Sequence, residues 1–154
     1  MKHKYYTYIA MQKMSRCFIL LFSGAVLTFL QGYVAVHYLK AQPSSACLTC
    51  SLESDLLSYS TLALVPLTGL LLVFGYLRVQ NGLFIATTLL LLMISWAVID
   101  TMIFDDRVAS WSTFTTAELW LASLVGCLLP VMAGGIAWWG IAYFTTRRYE
   151  HKVS

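Results

Sequence analysis

Charge is what this chain has least of. Of its 154 residues 11% are charged, whereas soluble domains carry about 25%. That scarcity sets it far outside the water-soluble globular class. Histidine is also scarce, with three in the chain, and two of these fall in the terminal tails. A bis-histidine haem therefore lacks its second ligand. Zinc asks for four ligands, and besides two cysteines His37 is the one further obvious donor in the same region, so no metal site is expected. No Asp, Glu, Lys, Arg or His falls in the middle of any long apolar run. Pumps and ion pathways usually need ionisable groups at depth. Their absence argues against a proton-coupled transporter and leaves a passive pore open. There is no internal repeat and no low-complexity segment. The net charge of +3 comes from basic residues at the two ends and carries no signal for nucleic acid.

What the chain does have is apolar length. Hydrophobic residues make up 59% of it, and four runs reach the roughly 20 residues needed to cross a bilayer as helix. The fold class expected is all-α: a four-helix transmembrane bundle forming one integral membrane domain over 1–154. Its spans are expected at about 17–39, 56–77, 83–104 and 119–144. The first run exceeds the about 7–15 apolar residues of a secretory signal peptide, so it reads as a span. Pro66 removes a backbone donor inside the second run and predicts a kink there. The short turn Arg78 to Gly82 predicts that the second and third spans pack as an antiparallel hairpin. Thr115 and Glu118 have capping-box spacing at the start of the fourth span. Along that span Ala122, Gly126, Pro130 and Gly134 recur every four residues, a stripe that lets another backbone approach closely. Residues 1–16 carry Lys2, Lys4, Lys13 and Arg16 with Tyr5, Tyr6 and Tyr8, and suit the headgroup level.

Charge asymmetry gives an orientation. The N-terminal tail, the 78–82 turn and the C-terminal tail hold eight of the ten Lys and Arg, and the other two loops hold Lys40 and Arg107. The positive-inside rule then puts both termini in the cytoplasm. The expected location is an inner (plasma) membrane of bacterial type, with lipid as the surrounding partner. Glu53, Asp55, Asp100, Asp105, Asp106 and Glu118 fall on the other side. Asp105-Asp106-Arg107 reads as a solvated corner. Asp100 lies about 25 Å along its helix, at a depth from which its side chain reaches water. Gln31, Thr68, Thr87 and Thr88 are the polar residues expected inside. Trp96, Trp111 and Trp120 at one end, and Trp138 and Trp139 at the other, read as interface belts.

The chemistry concentrates in Ala46-Cys47-Leu48-Thr49-Cys50-Ser51, just ahead of the second span. Cys47 and Cys50 are the candidate catalytic residues. Two cysteines at this spacing can close a disulfide, hold a soft metal or exchange disulfides with a partner. As a staple the bridge is poor, because its loop is far below the 15 residues that give about 3 kcal/mol. As an exchanger it is better placed, because a thiolate is stabilised at a helix N-terminus. His37 reads as an interfacial residue, with service as a base for a cysteine on its face as the alternative. Cys17 and Cys127 read as small apolar residues.

A Cys-x-x-Cys in the first external loop, directly before the second of four spans, resembles the disulfide-bond formation protein B (DsbB) family. The resemblance covers the topology together with Cys47, Cys50 and the acidic Glu53. It implies a four-helix inner-membrane protein that reoxidises a periplasmic thiol partner and passes electrons to a quinone cofactor. The chain departs from the family in two places. Glu53-Ser54-Asp55 stands where an arginine is expected, and 105–117 lacks a second cysteine pair. Two function classes follow. One is a membrane thiol–disulfide redox protein acting through Cys47 and Cys50 on a periplasmic thiol protein. The other is a non-enzymatic subunit of a larger membrane complex, assembled through the small-residue stripe and carrying a structural disulfide.

Overall fold

The computed structural model describes residues 2–77 and 80–150, and among them it is all helix and loop, with no strand. Four helices account for most of the chain: α1 Lys2–Val36, α2 Leu52–Leu77, α3 Asn81–Arg107 and α4 Thr116–Glu150. Each contains a stretch long and apolar enough to cross a membrane. The expected spans at 56–77, 83–104 and 119–144 lie within α2, α3 and α4, and the first, 17–39, runs past the end of α1 into a 3-10 turn. The N-terminal tail is the first part of α1 rather than a separate segment. Arg78, Val79 and the tail beyond Glu150 lie outside the described residues.

Short-range chemistry explains where the helices start. Ser51 precedes α2, and its hydroxyl accepts the Ser54 N–H at 3.3 Å, with Glu53 and Asp55 in the first turn. Acidic groups there meet the positive end of the helix dipole. At α4 the expected capping box is closed in both directions. The Thr115 N–H donates to Glu118 Oε2 at 2.9 Å, and the Glu118 N–H donates to Thr115 Oγ1 at 3.4 Å. Pro66 sits inside α2, which continues to Leu77. A 3-10 turn, His37–Leu39, ends the first helix, and another, Ala109–Trp111, follows the third.

The helices neighbour one another in chain order, and α4 returns to α1. α1 also touches α3 across the diagonal, so α2 and α4 occupy opposite corners. The buried face of α3 recurs at three- and four-residue steps: Ile85, Thr88, Leu92, Trp96, Ile99, Ile103 and Arg107. Side-chain hydrogen bonds tie α3 to its neighbours along its length. The Trp96 indole N–H donates to Thr28 Oγ1 of α1 at 2.9 Å, and the Trp138 indole N–H of α4 donates to Thr88 Oγ1 at 3.2 Å. Thr101 and Ser123 hydroxyls meet at 2.9 Å. Trp96 and Trp138 are thus fully buried core residues and not members of an interface belt, whereas Trp111, Trp120 and Trp139 are exposed. Gln31 and Thr88 are buried as expected.

The small-residue stripe of α4 is divided. Gly126 faces outward, and a Cβ there would stand 3.8 Å from the Tyr38 hydroxyl, an ordinary contact. A Cβ at Gly134 would stand 2.8 Å from the Trp96 ring. That ring is fully buried and held by Thr28, so it cannot move aside cheaply. Part of the stripe therefore serves the chain's own packing rather than a partner. Replacing glycine by alanine in a helix interior gains about 1 kcal/mol of propensity, whereas overpacking costs about 1–3 kcal/mol. Gly126→Ala is expected to be neutral or stabilising and Gly134→Ala destabilising, measured as opposite shifts of the unfolding midpoint in detergent or nanodiscs.

Candidate functional site

The stretch 40–51 joins α1 to α2 and has no regular structure of its own beyond turns. Cys47 and Cys50 are bonded within it, with S–S 2.01 Å and Cα–Cα 5.3 Å. The Cys50 N–H donates to the Cys47 carbonyl at 3.1 Å, which closes the turn. Both cysteines are half-buried, and Leu48 between them projects outward with 69% of its surface exposed. Cys50 stands two residues before α2, so a thiolate released there meets the helix N-terminus, the arrangement that favours the charged form. Thr49 Oγ1 lies 3.8 Å from Cys47 Sγ.

What holds this loop was not legible in the sequence. Arg107, expected at a solvated corner, is 2% exposed. Its Nε and Nη2 donate to Asp55 Oδ2 at 3.1 and 2.6 Å. Its remaining donors reach backbone carbonyls of the loop: Nη1 to Leu39, at 3.5 Å, and to Gln42, and Nη2 to Cys50 at 3.3 Å. One guanidinium therefore grips both ends of the disulfide loop and the first turn of α2. Residue type and placement are the signal that could have found it: Arg107 is one of two cations outside the basic tails and the turn, and Asp55 opens the helix across from it.

The rest of the corner adds to this grip. The Asp106 carbonyl accepts the Ser45 N–H at 2.7 Å, and the Asp106 carboxylate accepts the Tyr59 hydroxyl. Lys40 and Glu53 pair at 3.0 Å across the outside of the loop. Their hydrogen bond holds the Lys40 ammonium above its ordinary value. Asp105 is exposed.

The other candidates lie apart from the disulfide. His37 is exposed, with its ring against Tyr33 at 4.9 Å between centroids. Cys17 is half-buried and Cys127 buried, both unbridged. Among the described residues no group of three or more His, Cys, Asp or Glu could hold a metal ion. Asp100, expected to reach water, is 1% exposed and accepts a hydrogen bond from Gln31 Nε2 at 2.6 Å.

No protein family, no curated protein and no solved structure matched this chain.

The loop offers a disulfide at the surface, an exposed apolar residue between its sulfurs, and a rigid mount beneath. Breaking a buried ion pair from one side costs about 3–5 kcal/mol, because the other charge is left unpaired. Arg107→Leu is expected to lose about that much stability and to speed reduction of the disulfide by a small-molecule dithiol. Asp55→Leu combined with Arg107→Leu should lose clearly less than the sum of the two single changes. A double-mutant cycle on unfolding midpoints checks this.

Proposed function

We propose that this chain is a multi-pass membrane protein whose Cys47–Cys50 pair exchanges disulfides with a thiol protein on the outer face of the membrane. The single observation that carries the reading is a surface disulfide in a short turn at the N-terminus of a helix. Supporting it, the loop bearing the disulfide is pinned by Arg107, so bond exchange need not reorganise the chain around it. The four apolar helices support insertion in a bilayer.

The orientation proposed has both termini cytoplasmic and the disulfide outside. Its support grows when side-chain burial is considered. Arg107 is consumed in an ion pair, so Lys40 is the one solvent-facing cation of the disulfide loop and the α3–α4 connector. The basic tails and turn hold the remaining eight. A bacterial inner membrane is the setting consistent with a disulfide that persists in an oxidising compartment.

The step is a thiol–disulfide exchange. A partner thiolate attacks one sulfur of the pair, forming a mixed disulfide and releasing the other sulfur as a thiolate. The partner's second thiolate then displaces the pair. The partner leaves oxidised, and Cys47 and Cys50 leave as a dithiol holding two electrons. Return of those electrons to a membrane-soluble acceptor such as a quinone is what the resemblance to the disulfide-bond formation protein B family implies. In the opposite direction the reduced pair attacks a partner's disulfide: Cys47 is assigned to form the mixed disulfide, expelling one partner sulfur as a thiolate, and Cys50 to resolve it, leaving the partner reduced and the Cys47–Cys50 bridge closed.

The second reading is a membrane subunit with a structural bridge. The extensive clamp on the loop favours it, since a rigid mount also suits a purely architectural bond. Its proposed assembly stripe is weakened, because Gly134 already packs against Trp96.

Serine replacement separates the two. On the redox reading, Cys50→Ser accumulates a covalent adduct through Cys47, seen on a non-reducing gel and absent from the Cys47→Ser/Cys50→Ser double variant. A pair that stays oxidised in cells under all oxidant supplies, with no adduct, would sink the redox reading.

A further inference from the structure

Two buried oxygens inside the bundle have no hydrogen-bond partner: Asp100 Oδ1 and Gln31 Oε1. They belong to the two side chains that already meet through Gln31 Nε2 and Asp100 Oδ2 at 2.6 Å. Asp100 is 1% exposed and Gln31 is 5% exposed. A buried acceptor left without a donor costs about 1–3 kcal/mol, and more where the group is charged. Two such acceptors on one contacting pair demand an explanation.

The neighbours place no strong donor on either oxygen at hydrogen-bond geometry. Arg107, on the same face of α3 two turns further on, is committed to Asp55 and the loop carbonyls. Tyr38 and Cys127 are titratable groups that interact with Asp100. The Cys127 thiol, a weak donor, lies beside the Asp100 carboxyl as well as 3.7 Å from the Leu124 carbonyl, and it does not serve Gln31 Oε1. Leu56 packs nearby, against Gly32. An ionised carboxylate in these surroundings is a buried charge without a counter-ion, which a protein interior avoids by keeping the group neutral. A metal cation would want a cage of several oxygens, and two are available.

One hydrogen shared between them would satisfy both oxygens. We propose that Asp100 and Gln31 form a proton-binding site, in which the un-ionised carboxyl donates from Oδ1 to Gln31 Oε1 while the Gln31 amide donates to Oδ2. An amide and a carboxylic acid are complementary in this way, each giving one hydrogen and accepting one. The bound proton closes a two-bond latch between α1 and α3. Its loss would leave a bare charge between the two helices, so the proton belongs to the folded bundle. The inference does not rest on the redox reading of the disulfide.

The test is infrared spectroscopy of the full-length protein in lipid nanodiscs at neutral pH, with aspartate carboxyls isotopically labelled. Asp100 shares the label with Asp55, Asp105 and Asp106, one of which is ion-paired and two of which lie at the solvated end of α3. The expected result is one labelled un-ionised carboxyl stretch, which shifts in heavy water. It should vanish completely in Asp100→Asn, move to higher frequency in Gln31→Leu and persist in Cys127→Ala. The isosteric Asp100→Asn should keep most of the stability that Asp100→Leu loses. If Asp100→Asn does not fold, the same labelled band must still persist in Asp105→Asn and in Asp106→Asn. Ionised carboxylate bands alone would overturn the proposal, and imply that a bridging water serves the two oxygens. A carboxylate band that moves when sodium replaces a bulky organic cation would overturn it in favour of a metal site.

Discussion

A guanidinium cannot be buried alone. Taking such a group out of water costs several kcal/mol unless charge and hydrogen bonds replace the solvent. Arg107 is buried at the end of α3, and the way its donors are satisfied dictates much of the structure at that end. Asp55 must open α2 within reach, which sets how α2 enters the bundle. The carbonyls of Leu39, Gln42 and Cys50 must converge on the same group, which bends the connecting loop back over it. The disulfide is carried on the arc between those anchors. A segment without helix or strand is thereby given a definite shape by one side chain that lies outside it in sequence.

Below that end, α3 plays the same part on a smaller scale. Its backbone groups are satisfied within the helix, so only side chains can join it to its neighbours. The hydrogen bonds of Thr28 with Trp96, of Gln31 with Asp100, of Thr88 with Trp138 and of Thr101 with Ser123 are few and widely spaced. In a membrane interior, the setting proposed above, such bonds average about 0.6 kcal/mol each. Close packing must supply more, and the fit of the Trp96 ring over Gly134 is an example. The hydrogen bonds choose which rotation of each helix is correct, and the packing then makes that rotation stable.

The helices were readable because length and apolar composition survive any detail of packing. The capping box at Thr115 and Glu118 was readable because both partners lie within one turn. Arg107, Asp100 and the two buried tryptophans were not, and for one reason. In helices long and apolar enough to cross a membrane, the outward face is as apolar as the inward one, so the pattern of apolar residues does not mark the face that packs. On α3 the outward residues include Leu90 and Ile94, while the inward ones include Thr88, Asp100 and Arg107. A rule that sends charge to the surface then assigns these residues to the wrong place. The partners of Arg107, Asp100, Trp96 and Trp138 are Asp55, Gln31, Thr28 and Thr88, 50–69 positions away, beyond any local spacing argument. The cysteine pair was legible, because its two sulfurs are three residues apart, and the structure adds that the pair is closed as a bridge.

The central position of α3 also bears on how the protein is made. A ribosome delivers the chain from its N-terminus, so Gln31 and Asp55 emerge well before Asp100 and Arg107. During that interval the first two helices hold polar groups whose eventual partners have not yet been synthesised. Under the membrane insertion proposed above, Asp55, at the start of its helix, can wait at the membrane surface in contact with water. Gln31 lies deeper and, under the proposed insertion, has no such refuge once α1 is surrounded by lipid. Until the third helix arrives, the first is an incomplete part, and whatever guides insertion must keep it close to the place where α3 will enter.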